Sequence, residues 1–404
     1  MSLKLPNLKT INIKNLIISH KLTLAAFFGL TAIFVFSVFV LNSNLSKQNN
    51  QNTALDKKLN DVSLKLKDLK NQDQYKINQN LKENIKNIES SCKDAVSLYE
   101  KIVDLKAQKQ DTKDLDKEFA QSLNYLSTLN YSSVSASLKT LALDIKKKED
   151  ELAAAQAAQV KALTPQNIIQ SNAPPSGGFS VQSVSTDNGS FTVYIVAADL
   201  NSTRVIVDTA SDGDCSNNCP TLPLSDYVSR SGAFAGINGS YFCPAEYPSC
   251  SGKTNSFDLL VMNKNKVYFN SSNNVYSTNP AVIFSGNSAR FVGQALEWGR
   301  DTGVDAVLSN YPLLVSGGNI SYTGGGDAKY APKGTRTFIA AKGNTAYIGA
   351  VLNATMAESA IVLKSLGMDN ALNLDQGGST ALWSGGYKLG PGRSIPNALL
   401  FVHK

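Results

Sequence analysis

Histidine is nearly missing from this chain: among 404 residues only His20 and His403 carry an imidazole. A Ser-His-Asp or Cys-His hydrolase needs a histidine base beside its nucleophile, and a His-ligated zinc hydrolase needs several, so both classes are disfavoured. Phosphate loops are lacking too. Ser316-Gly317-Gly318 and Gly324-Gly325-Gly326 are followed by no Gly-Lys-Ser/Thr and read as loop hinges. There is no Asp ladder of the EF-hand kind; Ca²⁺ held by Asp375 with Asn and backbone carbonyls stays open without a motif behind it, and no other cofactor or metal is expected. The formal charge of +7 does not point to nucleic acid. From Met1 to Lys161, 24 Lys meet 17 Asp and Glu, whereas from Ala162 onward 15 Lys and Arg meet 15 Asp and Glu, and no aromatic-interleaved basic patch occurs. Chemistry is thereby left to carboxylates, with Arg and backbone N–H groups to hold an anion.

Charge is also absent from residues 22–41, a run rich in Phe, Val, Leu and Ile that matches the length of a membrane-spanning helix. Lys4, Lys9, Lys14 and Lys21 precede it without an acidic residue, so the positive-inside rule places residues 1–21 in the cytoplasm and the rest outside. The run is longer than a signal-peptide core and no Ala-x-Ala site follows, so an uncleaved signal anchor is expected over a cleaved leader. Cys215, Cys219, Cys243 and Cys250 then fall outside the cell, where two disulfides are expected. Cys215 with Cys219 and Cys243 with Cys250 is the local pairing; crossed pairing stays open, and a four-cysteine zinc site is the rival.

Residues 45–161 read as a helical stalk. Leu55, Leu59, Val62, Leu66 and Leu69 step by four and three, the seam of a coiled coil. A second seam runs Leu81, Ile85, Ile88, Cys92, Ala95, Tyr99 and Ile102, and a third Val134, Leu138, Leu141 and Ile145. One long coil with stutters and a folded helical bundle both satisfy the pattern. A spacer is the simplest role, with self-association through the coil as an option; Cys92, at a seam, is either a small core residue or an interchain disulfide. Residues 162–178 are rich in Pro, Gly and Ser and read as a linker. From 179 to 404 short β-like runs dominate: 191–197, 204–208, 259–262, 266–269, 281–284, 337–341, 346–351 and 399–402. One helix interrupts them, opened by a Thr355–Glu358 capping box and stopped by Gly367. The expected class is an α+β domain behind a transmembrane helix and an α-helical stalk.

That helix leads into Asn373-Leu374-Asp375-Gln376-Gly377-Gly378-Ser379-Thr380-Ala381-Leu382-Trp383, which sets a carboxylate beside two glycines and two hydroxyls between apolar runs. Such a turn lets backbone approach a ligand and offers N–H groups to an oxyanion. Three further segments accompany it: Ala235-Gly236-Ile237-Asn238-Gly239-Ser240-Tyr241-Phe242, Gly334-Thr335-Arg336-Thr337-Phe338-Ile339-Ala340, and Ile395-Pro396-Asn397-Ala398-Leu399-Leu400-Phe401-Val402. In order and character the four resemble the phosphodiester glycosidase family, over about the last two hundred residues. The family usually has Asp-Gly-Gly-Gly-Ser where this chain has Asp375-Gln376-Gly377-Gly378-Ser379, so Gln376 either occupies a φ < 0 position or marks altered activity.

The resemblance implies cleavage of a glycosyl-phosphate diester. Asp375 is the expected carboxylate, Arg336 the phosphate-facing cation and Asn238 an amide offered to the substrate. Gly239, Gly377, Gly378, Ser379, Thr380 and Asn397 complete the expected cradle. A second carboxylate is not selected among Glu297, Asp258 and Asp305. The reading is a membrane-anchored hydrolase acting outside the cell on an envelope polymer or glycoconjugate. Its rivals are a non-catalytic glycan-binding module on a stalk, to which Gln376 lends support, and a scaffold whose working part is the coil.

Overall fold

The computed structural model describes residues 13–163, 168–270 and 278–404. Residues 1–12 of the expected cytoplasmic segment and 164–167 of the expected linker lie outside the described residues. The chain divides into two compact units, Met1–Lys86 and Asn87–Lys404. In the first, α1 (Ile13–Asn71) carries the apolar run, and from Phe27 it is long and apolar enough to cross a membrane. Farther along α1 the first seam is exposed, with Leu59 at 70%. Among the described residues no helix covers it, so a coil on this seam is not shown.

The later seams close on each other. The end of α2 (Asp73–Ala107), α3 (Lys113–Ser127) and α4 (Tyr131–Leu163) enclose Ala95, Ile102, Leu105, Leu115, Val134, Leu138, Leu141 and Ile145 in one cluster. A folded bundle therefore holds here, because each amphipathic stripe finds its partner within the chain. Cys92 is free and exposed, so it is not a core residue.

The rest of the second unit opens with β1 (Ile169–Gln170), β2 (Gly178–Thr186), β3 (Gly189–Asp199) and β4 (Thr203–Thr209), followed by α5 (Leu224–Ser231) and β5 (Ala235–Asn238). Next come β6 (Val261–Met262), β7 (Tyr268–Phe269), β8 (Ala281–Ser285), β9 (Ser288–Val292), β10 (Ala306–Ser309), β11 (Leu313–Ser316) and β12 (Asn319–Ile320). The chain closes with β13 (Gly334–Lys342), β14 (Thr345–Ala354), α6 (Met356–Ser365), β15 (Asn370–Asn373), β16 (Leu382–Ser384), β17 (Tyr387–Leu389) and β18 (Asn397–His403). Three sheets result, ordered β1-β2-β3-β14-β13-β15-β11-β12, β7-β6-β10-β8-β9 and β17-β16-β5-β18-β4. Their shared core includes Val196, Ile237, Val282, Leu308, Ile339, Leu372 and Leu399. The expected class, mixed strands with a few helices, is what this region shows.

Two boundaries differ from expectation. The segment 162–178 is not wholly linker: β1 lies inside it and pairs in parallel with β2, Ile169 opposite Gln182. The second compact unit begins at Asn87, so residues 87–161 of the expected stalk fold with the strands, whereas 45–86 belong to the first unit. The α6 signals hold as read: Glu358 N–H donates to Thr355 Oγ1 at 3.1 Å, Thr355 N–H donates to Glu358 Oε2 at 2.7 Å, and Gly367 takes φ +74° after the last turn. From there the chain enters β15, hydrogen-bonded to β13 and β11, and runs out at Asp375.

Candidate active site

Asp375 follows the end of β15, where strands of two sheets converge. From the third sheet β5 brings Asn238 and β18 brings Asn397; from the first, β13 brings Arg336 and Thr337. Asn238 is fully buried: Nδ2 donates to the Asp375 carbonyl at 2.7 Å and Oδ1 accepts from Ala381 N–H at 3.1 Å. Thr337 Oγ1 donates to the same carbonyl. Asn397 Oδ1 accepts from Ser240 N–H at 3.0 Å, and its Nδ2 donates to Ser240 Oγ at 3.2 Å. Gly239 must lack a side chain, because a Cβ there would overlap the Asn397 amide. The two asparagines are thus struts that fix the turn, with their amides turned to protein partners.

The Asp375 carboxyl is the group so held. Oδ1 accepts from Gln376 N–H at 2.8 Å, and the Ser379 hydroxyl bonds to it. Burial raises it from 3.8 to about 6, against the pull of those bonds and of the Arg393 and Lys329 charges. Beyond it Gln376 adopts φ −140°, a conformation open to any side chain, and Gly377 takes φ +63°. Of the two accounts of Gln376, the φ < 0 position is the one observed. Its side chain turns inward: Nε2 donates to Asn373 Oδ1 at 2.5 Å, and Oε1 accepts from Arg336 Nη1.

Arg336 is 5% exposed, and its donors reach the carbonyls of Ala354, Lys329 and Pro332 besides Gln376. Burial lowers its proton affinity. It braces the turn from behind, and those partners leave it little to offer a substrate. The guanidinium at the turn belongs to Arg393, which no motif singles out. The Arg393 backbone N–H donates to the Gly378 carbonyl at 2.7 Å, and its side-chain head lies where a Cβ on Gly378 would stand. The side chain is 8% exposed, and Nε and Nη1 have no hydrogen-bond partner among the described residues, although Glu246 Oε2 stands 3.7 Å from Nη1. Thr380 Oγ1 is likewise buried without a partner among the described residues. Burial opposes the Arg393 charge, and Asp104, Tyr247 and Asp375 more than offset it.

Tyrosines surround the turn. Tyr241 OH accepts from Asn373 Nδ2 at 2.7 Å, and Lys329 Nζ sits 4.5 Å from the Tyr241 ring centre. Tyr311 and Tyr330 continue the aromatic cluster. Of the three carboxylates left open, Glu297 caps a short helical turn through Gln294 N–H, and Asp305 pairs with Arg204 at 2.9 Å. Asp258 is nearer the cluster: its N–H donates to the Tyr241 carbonyl at 3.2 Å, and burial raises its carboxyl against the charges of Lys253 and Lys329. The disulfides are the local ones, Cys215–Cys219 and Cys243–Cys250, and the second ties the loop that carries Tyr247. Among the described residues no three His, Cys, Asp or Glu gather as a metal cluster.

Comparison with known proteins gives the arrangement a context. Residues 231–402 match the model of the phosphodiester glycosidase family. A protein from Synechocystis is 15% identical with TM-score 0.40; the alignment covers 56% of this chain and 62% of that protein. The zebrafish N-acetylglucosamine-1-phosphodiester alpha-N-acetylglucosaminidase catalytic domain, auto-inhibited by pro-peptide, is 16% identical with TM-score 0.45, covering 59% of this chain and 87% of that one. No curated protein matched the sequence. All four motifs fall inside the matched residues, and over 231–402 the chain is similar to the phosphodiester glycosidase family.

Proposed function

We propose that this domain hydrolyses a glycosyl-phosphate diester outside the cell, in an envelope polymer or glycoconjugate, while α1 anchors the protein with its N-terminus in the cytoplasm. One observation carries the reading: the raised Asp375 carboxyl stands at a glycine turn over which a buried guanidinium, Arg393, keeps donors without hydrogen-bond partners among the described residues. An anion bound there would satisfy Arg393 Nε and Nη1, with Lys329 adding charge. Ionised Asp375 would then act at the anomeric carbon, as nucleophile or as base for water, while the sugar–oxygen bond breaks and the phosphate leaves held by Arg393. Asn238, Asn397, Arg336 and Gln376 hold the turn in place for that step. Substrate contacts by Gly239 and Asn397 belong to the same reading only through the backbone they fix. Gln376 no longer favours the glycan-binding alternative, because its side chain leaves the turn and joins the bracing network. The exposed Leu55–Leu69 seam supports self-association through a coil.

The test is turnover by the full-length protein in detergent across a panel of sugar 1-phosphodiesters, with Asp375→Asn as control. Release of free sugar by wild type and its loss in the variant is the expected result. Glycan binding without turnover, unaffected by Asp375→Asn, would replace the enzyme with a binding module.

A further inference from the structure

We infer that Asp104, on helix α2, is a positioning residue of this site: it holds Arg393 in the direction from which the guanidinium meets the phosphodiester, so the helical segment is part of the active site. The inference rests on the glycosidase reading for its substrate and on geometry for its residue. Asp104 Oδ1 lies 2.5 Å from Arg393 Nη2, across 289 residues of sequence. Its other oxygen, Oδ2, accepts from Tyr247 OH at 2.6 Å. Both oxygens are therefore committed, and the carboxylate cannot turn without breaking one bond.

The contact is built from both sides. The Cys243–Cys250 disulfide closes the loop that presents Tyr247, and Ser249 in that loop donates from its backbone N–H to Glu100 Oε1 at 3.3 Å, one helical turn before Asp104. The Tyr247 ring stacks under the guanidinium, 5.3 Å from its centre. A Cβ on Gly377 would stand in van der Waals contact with the Asp104 carboxylate, 3.9 Å from Oδ2, and Gly378 leaves the space Arg393 fills.

The alternative anchor for Arg393 is Glu246, whose side chain is 56% exposed and 3.7 Å away, a weak constraint in water. Asp104 takes one guanidinium nitrogen and leaves the other two without hydrogen-bond partners among the described residues. That suits an anion arriving at the turn, because a cation already paired through one nitrogen keeps its orientation and loses less side-chain freedom on binding. Burial raises the Asp104 carboxyl and Arg393 draws it back, as for a carboxylate worked into an interior.

The experiment uses the full-length protein and Asp104→Asn, Asp104→Ala and Asp104→Glu variants. Inorganic phosphate binding by calorimetry and steady-state cleavage of a sugar 1-phosphodiester are measured side by side. Asp104→Asn should weaken phosphate binding and raise KM by about tenfold, with a smaller change in kcat, and Asp104→Glu should recover part of the loss. Asn has the shape of Asp, so this variant remains informative where Asp104→Ala does not fold. Unchanged phosphate affinity and KM in a destabilised Asp104→Asn protein would make the pair a structural bridge only. Tighter phosphate binding or faster turnover would show that the carboxylate competes with the anion, and would equally overturn the inference. Wild type without turnover, but with phosphate binding that Asp104→Asn weakens, would refute the glycosidase reading and leave the Asp104–Arg393 linkage standing.

Discussion

Asn238 Nδ2 and the Asp375 carbonyl oxygen lie 2.7 Å apart, joining the end of β5 to the end of β15 across two sheets. The same amide accepts from Ala381 N–H, so one side chain grips the turn on both flanks of the glycines. Asn238→Ala would leave a buried carbonyl and a buried N–H short of partners, at roughly 1–3 kcal/mol each, with Thr337 still serving the carbonyl. A lower urea midpoint and a fall in kcat larger than any change in KM are expected. A purely substrate-binding Asn238 would give the reverse, a higher KM at unchanged stability.

Asp375→Asn should remove turnover by roughly 10²- to 10⁴-fold and at the same time stabilise the protein. The sign follows from the direction of the change: a carboxyl raised from 3.8 to about 6 on folding binds its proton more tightly in the native state, so its contribution to stability is lost as pH rises from 4 through 6. The charged form costs on the order of 3 kcal/mol at pH 7 to 8, taking about 1.4 kcal/mol for each pH unit between the two values. An amide avoids that cost. Thermal melts should show the Asp375→Asn protein ahead of wild type at pH 8 and level with it near pH 4; equal melting at both would mean that burial does not strain the carboxylate.

The same carboxyl sets the pH profile. If Asp375 acts ionised, kcat/KM should rise about tenfold per unit below pH 6 and flatten above it. A rate falling above pH 6 would assign Asp375 the part of a general acid, which a phosphate leaving group needs less.

Much of this site can be read in the sequence because its turn is local. Asp375, Gly377, Gly378 and Ser379 lie within five residues, and the strands before and after them show as apolar runs. Asn238 and Asn397 stand out by motif, yet the motif misassigns their roles, since spacing cannot tell whether an amide faces a ligand or a neighbouring backbone. Arg336 and Arg393 differ in the same way: each stands near glycine in a short segment, and only the packing shows that Arg336 ends among carbonyls. Arginine is scarce, six residues and all after position 200, and that scarcity is the signal that makes Arg393 in Pro391-Gly392-Arg393 a candidate. Asp104 has no such signal. A polar residue on an amphipathic helix looks solvated until a second surface covers it, which also explains why the later part of the expected stalk, from Asn87, folds with the strands.

Arg336→Lys and Arg393→Lys should separate those two roles. A lysine at 336 keeps a charge but cannot reach Ala354 O, Pro332 O and Gln376 Oε1 together, so stability falls and KM for any folded enzyme changes little. At 393 the loss should be in phosphodiester KM, by about tenfold or more, with weaker inhibition by inorganic phosphate. Urea midpoints and KM values for the pair test this directly, and a larger KM effect at 336 would restore Arg336 as the phosphate contact.

Gln376→Gly puts back the residue the family usually has, and the structure argues against a simple gain. Gln376 Oε1 accepts from the buried Arg336, and Nε2 donates to Asn373 Oδ1 at 2.5 Å, so glycine would remove one acceptor and one donor from an interior network. Asn373 would keep its Nδ2 bonds to Tyr241 OH and the Tyr311 carbonyl but lose the partner of its oxygen. Glycine also adds backbone freedom to a position already at ease at φ −140°. A loss of roughly 1–3 kcal/mol is expected from the unpaired groups. Because the side chain points away from Asp375 and Arg393, kcat/KM of the folded enzyme should stay within a few-fold of wild type. Denaturant melts and initial rates on the same preparation decide the matter. A large rise in activity would show that Gln376 obstructs the site, and a large fall without loss of stability would make it a substrate contact.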